Sequence, residues 1–401
     1  MKKILFLIPS LKGGGTERVL CLLSTYFSKK YDVHFLINDD DNIVYQCRGS
    51  LHKIDIENKF TNKPKFIRKI YSTTHLLSVI VKYRRKINNI SPDISVSFQP
   101  SQNVFNVLSS KKSIVSFRSF NLDYKIVNEH FINNFIMSYT VKHARRIIVP
   151  SLGIKEHLMS KFHINSSKIE VIPNPINLKS VNEKKEEPLD KTYEEEIFKF
   201  PTIINVARLG KEKGQQHLIK AFSKVIKKIP EARLVILGEG PLKTKLINLS
   251  KKLGIENSVH FLGFKRNPFK YISRAKIFVL SSLYEGFANV IIESFACGTP
   301  VISTDCRSGP REIIAPESKF GENISKAEYG KYGILIPVQI RKSKINTVEE
   351  ENIMAVEIIK LLRNEELRNT FSKKGLERAK DFDISKIAEL YEKVFLDVAN
   401  N

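Results

Sequence analysis

Residues Ser281–Pro300 read SSLYEGFANVIIESFACGTP. The stretch continues IFVLSS, an apolar run of the kind that forms a buried strand, and leads into the apolar helix Asn289-Val-Ile-Ile-Glu-Ser-Phe-Ala. Two carboxylates, Glu285 and Glu293, stand eight residues apart in an otherwise uncharged segment. Glu285 falls on the loop and Glu293 about one turn inside the helix, so they are not neighbours on one helical face. The free N–H groups at the helix start suit a phosphate. A carboxylate accepts hydrogen bonds from hydroxyls, in pairs when the diol is vicinal. A ligand with hydroxyls at both ends and a phosphate between them is a nucleotide-diphospho-sugar. The plainer alternative is a helix-start acid favoured by the macrodipole beside an ordinary loop acid.

The strand–loop–helix alternation extends on both sides. Downstream of residue 198 the strands are TIINVARL (Thr202–Leu209), RLVILG (Arg233–Gly238), VHFLG (Val259–Gly263), KIFVLSS (Lys276–Ser282), PVISTD (Pro300–Asp305) and GILIP (Gly333–Pro337), closed by helices from about Glu349. The first half repeats the pattern with KILFLI (Lys3–Ile8), DVHFLI (Asp32–Ile37), DISVSF (Asp93–Phe98), SIVSF (Ser113–Phe117) and RIIVPS (Arg146–Ser151). Short, β-branched runs separated by helical lengths predict parallel sheets covered on both faces. Residues 177–198 are highly charged without an apolar period and read as a solvated linker. The expected class is α/β: two Rossmann-like, doubly wound domains, residues 1–176 and 199–375, facing across a cleft. Ligands are expected at the carboxyl ends of the strands.

Three further loops stand at strand ends. Gly13-Gly14-Gly15-Thr16-Glu17-Arg18 follows the first strand and opens a helix; taken alone it is equally a tight turn. Arg208-Leu-Gly-Lys-Glu-Lys213-Gly214 carries two fixed cations five residues apart, suited to a diphosphate or to a solvated basic loop. Gly238-Glu239-Gly240-Pro241 is a turn that starts a helix.

Glu285 with Glu293, Gly286, Asn289 and ACGTPVIST resembles the Glu–seven residues–Glu signature of the retaining family 4 glycosyltransferases. Arg208 with Lys213-Gly214, the Gly238–Gly240 turn, VHFLGF and GGGTER fall in the same order, so the resemblance covers nearly the whole chain. It implies the GT-B architecture, with a C-terminal helix at 376–401 returning to the first domain. It implies that Glu293 holds the ribose diol and that Glu285 contacts the sugar. Backbone at Gly286, Phe287, Ala288, Asn289 and Val290 then surrounds the sugar and diphosphate, which Arg208 and Lys213 neutralise. Gly263, Phe264 and Lys265 flank the base, and Gly14 and Gly15 approach the phosphate from the first domain. Many relatives carry a first-domain histidine where SFRSFN places Arg118. His130 lies too far along to replace it, and Arg118 is read either as a ligand for an acceptor's phosphate or as a surface loop arginine. Front-face transfer, with the leaving phosphate taking the acceptor's proton, needs no enzymic base. No cofactor and no metal are expected.

The formal net charge of the 401 residues is +24, which points to acidic partners or to a lysine-rich genome. Residues 62–91 carry eight basic residues and no acidic one. Lys82, Arg84, Arg85 and Lys86 cluster there among apolar residues, as in a membrane-surface helix or in a sheet-covering helix with a basic outer face. No run of about 18 apolar residues suggests a spanning helix, and Ile4–Ile8 is too short for a signal peptide. Cys21, Cys47, Cys297 and Cys306 show no metal spacing and read as reduced thiols. The expectation is a bacterial enzyme, cytoplasmic and peripheral on the inner face of an anionic membrane. The family resemblance implies a UDP-sugar as donor and a lipid-linked or lipopolysaccharide glycan as acceptor, and STDCRSGPREII resembles relatives that transfer N-acetylgalactosamine or other hexoses. A nucleotide-sugar epimerase of the same fold is one alternative. A nucleic-acid-binding protein is the other, but no aromatic–basic stacking platform supports it.

Overall fold

The computed structural model describes residues 1–41, 43–45, 47–56, 65–119, 130–321, 324–338 and 347–400, with backbone only for 65–75, 130–132 and 347–348. Two compact units result: unit 1 is Met1–Pro175 with Ile384–Asn401, and unit 2 is Ile176–Asp383.

Unit 1 contains β1 (Lys3–Leu7), β2 (Asp32–Ile37), β3 (Ser50–Lys53), β4 (Ile94–Phe98), β5 (Ser113–Ser116), β6 (Arg146–Val149) and β7 (Ile169–Val171). Its helices are α1 (Gly15–Phe27), α2 (Lys65–Ile90), α3 (Pro100–Ser109), α4 (His130–His143) and α5 (Leu152–Phe162). The strands form one parallel sheet in the order β3-β2-β1-β4-β5-β6-β7. Unit 2 contains β8 (Thr202–Val206), β9 (Arg233–Leu237), β10 (Val259–Gly263), β11 (Ile277–Leu280), β12 (Val301–Thr304), β13 (Glu328–Tyr329) and β14 (Ile334–Ile336). Its sheet runs β10-β9-β8-β11-β12-β14-β13, parallel except for the β13–β14 pair. Its helices are α6 (Leu178–Lys185), α7 (Thr192–Phe198), α8 (Gln215–Val225), α9 (Lys243–Lys252), α10 (Phe269–Ile272), α11 (Asn289–Ala296), α12 (Pro310–Ile314), α13 (Thr347–Arg363) and α14 (Glu365–Ala379). The last helix, α15 (Ile384–Asn400), belongs to unit 1.

The continuous apolar strands are explained by burial on both faces. In β1 and just beyond it, Ile4, Phe6 and Ile8 meet the α1 and α15 side, while Leu5 and Leu7 meet α2 and α3. Helix α15 presents Ile387, Ala388, Tyr391, Val394, Phe395 and Val398, a helical stripe, to that core. Phe395 packs on Phe27 with ring centroids 5.2 Å apart. Each such side chain stabilises by roughly 1.5–3 kcal/mol when fully buried.

The structure departs from expectation in four places. Residues 177–198 are not a solvated linker: they form α6 and α7, and Val181, Leu189 and Ile197 enter the unit 2 core with Phe278 and Phe295. Three apolar residues spaced this widely among charges leave no period to read. The returning helix starts at Ile384 rather than 376, because α14 stays in unit 2. Edge strands β3, β7 and β13 span only four, three and two residues and left no strand signal. Cys21 and Cys47, read as free thiols, are joined in a disulfide with Cα atoms 4.5 Å apart, while Cys297 and Cys306 are free and buried.

Among the described residues no helix is long and apolar enough to cross a membrane. The turns of α2 from Val79 onward bury Val79, Tyr83, Ile87 and Ile90, leave Lys82, Arg84 and Arg85 exposed and place Lys86 half-buried. Of the basic segment, Lys63 and the side chains of Lys65, Arg68 and Lys69 lie outside the described residues, as does the His130 side chain.

Candidate active site

In unit 2 the strand order reverses between β8 and β11. The loop after β8 leads toward β9 and the loop after β11 toward β12, which leaves a crevice at their carboxyl ends. Lys213 from the first loop and Glu285 from the second meet there, with Nζ 2.8 Å from Oε1. The Ser282 hydroxyl donates to the same carboxylate oxygen at 2.6 Å. The pair joins positions 72 residues apart in the chain.

The two loops are fixed on each other by backbone. Leu283 N donates to Glu212 O at 2.8 Å, and the Ser281 hydroxyl donates to Lys213 O at 2.9 Å. Gly214 adopts φ +62°, and a Cβ there would stand 2.1 Å from Ser281 O. Behind Glu285, burial and then the Glu285 charge push the Cys306 thiol well above its ordinary range, which makes it an inert neighbour and not a nucleophile.

Beyond Glu285 the chain turns through Gly286 and Phe287 to Ala288, which holds the left-handed conformation (φ 65°, ψ 58°) and caps α11. The turn is braced from below by residues that the sequence reading left unassigned. The Ser308 hydroxyl donates to Gly286 O at 2.9 Å, and Tyr284 and Arg307 form a β-bridge. A left-handed φ at a non-glycine residue costs about 1–3 kcal/mol and persists where its surroundings enforce it. Asn289 and Val290 open α11, and Glu293 lies one turn inside it, 6% exposed. Both glutamates therefore issue from one braced turn at the switch point.

The remaining donor-side residues are placed differently. Arg208 is 68% exposed at its side chain and reaches Glu212 at 3.4 Å rather than joining Lys213 and Glu285. The Gly238–Gly240 turn lies against the loop after β8: Leu209 N donates to Glu239 O at 2.9 Å, and Gly238 N donates to Gly263 O at 2.8 Å. Phe264 is exposed beside it. Lys265, expected to flank a base, has its ammonium 2.8 Å from Asp190 and 2.7 Å from Glu194. Glu194 is fully buried on α7 and also accepts from the Tyr271 hydroxyl at 2.6 Å. The lysine thus ties α7 into unit 2. Lys265→Met strands Glu194 without its cation, and urea denaturation is expected to record a loss of about 3–5 kcal/mol.

In unit 1, Arg118 has neither of the roles expected for it. Its guanidinium donates to Asn174 Oδ1 and to the Tyr391 hydroxyl, and lies 5.2 Å from the Phe98 ring centroid. It is neither an open phosphate ligand nor a loose surface charge: it holds α15 on unit 1. Gly14 and Gly15 do follow β1 and begin α1. Their helix start already has an anion, because a Cβ on Gly14 would stand 2.2 Å from Glu17 Oε2. A phosphate approaching Gly14 meets that carboxylate. Among the described residues, the acidic trio with ligand atoms close enough to share an ion is Asp39, Asp40 and Asp41, largely exposed; Lys12 and Lys53 pair with its members.

The chain resembles known glycosyltransferases along its length. The model of glycosyltransferase family 4 matches residues 13–180, and that of glycosyl transferases group 1 matches residues 191–325. An uncharacterized glycosyltransferase of Methanocaldococcus jannaschii is 43% identical over 256 residues, 62% of this chain and 63% of its own length. The N-acetylgalactosamine-N,N'-diacetylbacillosaminyl-diphospho-undecaprenol 4-alpha-N-acetylgalactosaminyltransferase of Campylobacter jejuni is 30% identical over 397 residues, 97% of this chain and 98% of its own. In structure, Anabaena HepE in complex with UDP superposes with a TM-score of 0.75 at 18% identity, covering 99% of this chain and 100% of that one.

Proposed function

The chain belongs to the family 4 glycosyltransferases of GT-B fold, and from that premise we propose that it moves a hexose or N-acetylhexosamine, with retention, from a UDP-sugar to a lipid-linked or lipopolysaccharide glycan. The Lys213–Glu285 pair at the switch point carries this reading. In the reaction, the bond from the anomeric carbon to the leaving diphosphate breaks. The acceptor oxygen bonds the same face, and its proton passes to the departing phosphate oxygen. Lys213 stabilises the negative charge that develops on the diphosphate, the kind of preorganised charge that lowers such barriers. Glu285 orients Lys213 and accepts hydroxyls of the sugar. Glu293 accepts the ribose hydroxyls, and the positive end of the α11 dipole faces the phosphates. No metal and no cofactor enter these steps.

N-acetylgalactosamine as the transferred sugar draws on the name of the Campylobacter relative, and UDP on the nucleotide in the structural neighbour. The acceptor's lipid would lie in the cytoplasmic membrane, with the enzyme on its inner face. Exposed Leu77 and Val81 on α2 accompany Lys82, Arg84 and Arg85, and Phe135, 67% exposed, projects from α4 with Tyr139. Both helices pack on the same face of the unit 1 sheet, and exposed apolar residues beside basic ones suit a membrane surface. The test is transfer from UDP-N-acetylgalactosamine to a polyprenyl-diphosphate-linked N-acetylhexosamine oligosaccharide, with product analysis by NMR. An α-linked product is expected; a β-linked product, or nucleotide release with no new glycosidic bond, refutes the retaining transfer.

A further inference from the structure

We propose that the Cys21–Cys47 disulfide is a thiol–disulfide exchange site, opened by a dithiol reductant, and that its opening slows transfer by freeing the glycine loop after β1. The bond joins α1 to the chain between β2 and β3, across 26 residues. An enzyme on the cytoplasmic face, as proposed above, works among reducing thiols. Disulfides found there are mostly transient, catalytic or redox-sensing. The location and the effect on turnover rest on the glycosyl-transfer reading; the exchange chemistry does not.

The chain that leads to Cys47 lies on the glycine loop. Asn38 N and Asp39 N both donate to Pro9 O, at 2.9 and 3.1 Å, and Lys12 pairs with Asp39. Val44 N donates to Leu11 O at 3.0 Å. The Val44 side chain stands over Gly13, where a Cβ would come within 3.3 Å of Val44 Cγ2. This cover is loosely packed. Ile43 and Val44 are exposed, and a hollow of about 560 Å³ lies beside them, lined by Leu11, Phe35, Tyr45 and Cys47. The disulfide supplies the covalent anchor that such packing lacks. A cross-link restricts the segment it closes, and cleavage returns that freedom. The glycine loop stands at the carboxyl end of β1, the edge at which parallel sheets hold their ligands, so its freedom bears on turnover.

The two sulfurs differ in access. Cys21 is 6% exposed on α1, whereas Cys47 is half-buried and faces the hollow, which the exposed Arg48 and Leu51 also line. A reductant's thiolate therefore reaches Cys47 Sγ first. Its attack forms a mixed disulfide with Cys47 and breaks the bond to Cys21, which leaves as a thiolate and takes a proton. The reductant's second thiolate then attacks its own first sulfur. Cys47 leaves as a thiolate and takes the second proton, and the reductant departs as a disulfide. Two electrons and two protons have passed to the protein. Cys297 and Cys306 do not compete, because both are buried and burial holds both thiols above their ordinary range.

The experiment compares the full-length protein oxidised and after dithiothreitol without denaturant. Alkylation with mass analysis is expected to label Cys21 and Cys47 only in the reduced sample, and Cys297 and Cys306 in neither. Hydrogen exchange at the Val44 amide is expected to quicken about tenfold or more on reduction. Transfer from UDP-N-acetylgalactosamine to a polyprenyl-diphosphate-linked oligosaccharide is expected to fall about 5- to 50-fold in kcat/KM. Cys47→Ser is expected to show the reduced behaviour with or without dithiothreitol. A bond that opens only in denaturant is a structural staple and overturns the proposal. So do Cys21 and Cys47 alkylated before reduction, Val44 exchange indifferent to reduction, a measurable transfer rate equal in both states, or a Cys47→Ser protein that still responds to dithiothreitol. If exchange responds but neither state transfers, the tether stands and the glycosyl-transfer reading fails.

Discussion

Glu285→Gln is expected to lower kcat by about 100- to 1,000-fold with UDP affinity changed by no more than about twofold. Glu293→Ala is expected to weaken UDP by about 10- to 100-fold, with a smaller effect on turnover of the saturated enzyme. The split follows from where the two carboxylates stand. Glu285 meets the Lys213 ammonium at 2.8 Å and the Ser282 hydroxyl at 2.6 Å, so its charge fixes the cation that the proposed mechanism assigns to the leaving diphosphate. A glutamine in its place keeps the volume and the bond from Ser282 but no longer anchors a charge. Glu293 is buried one turn inside α11, away from that pair in the chain, and in the proposed function it reads the nucleotide's ribose. Calorimetry for UDP and steady-state rates for transfer measure the two effects separately. Equal, small effects from both substitutions would return the pair to an ordinary helix-start acid and a loop acid.

Gly214→Ala is expected to impair fold and activity together. Its φ of +62° alone costs a side-chain-bearing residue about 1 kcal/mol or more. The larger effect is steric: a Cβ 2.1 Å from Ser281 O forces the loop after β8 off the loop after β11. Lys213 is the adjacent residue, so the displacement separates its ammonium from Glu285. We expect a melting temperature several degrees lower and kcat reduced at least as far as in Glu285→Gln. A Gly214→Ala protein with unchanged Tm and turnover would show that the loop docking is incidental. Lys213→Met serves as the comparison, because it removes the ammonium without moving the backbone.

The two doubly wound sheets were legible because parallel strands buried on both faces leave unbroken apolar runs, as in IFVL and RLVIL. The Ser281–Pro300 turn was legible because strand, glycine and helix follow one another directly. Other features depend on long-range partners. The union of Lys213 with Glu285 spans 72 residues and needs the strand order, which periodicity does not reveal. Lys265 and Arg118 looked like available cations, yet their partners Glu194 and Tyr391 lie 71 and 273 residues away. Glu17 stood in plain view in GGGTER, but its burial and its contact with Gln99 arise only when β1 and β4 become neighbours. A usable signal for the brace under Gly286 existed in the Ser308-Gly309-Pro310 turn after β12, since such a cluster at a strand's carboxyl end marks a shaped loop.

The central claim is that the turn from Glu285 to Glu293 binds a nucleotide-diphospho-sugar, and thermal unfolding of the full-length protein against UDP, GDP, ADP and their sugars tests it most directly. The account predicts that UDP and UDP-sugars raise the transition, by about 2.7 kcal/mol at a hundredfold excess over Kd, and that Glu293→Ala abolishes most of the shift. Unfolding unmoved by every nucleotide and nucleotide-sugar, or a UDP shift undiminished in Glu293→Ala, would contradict it.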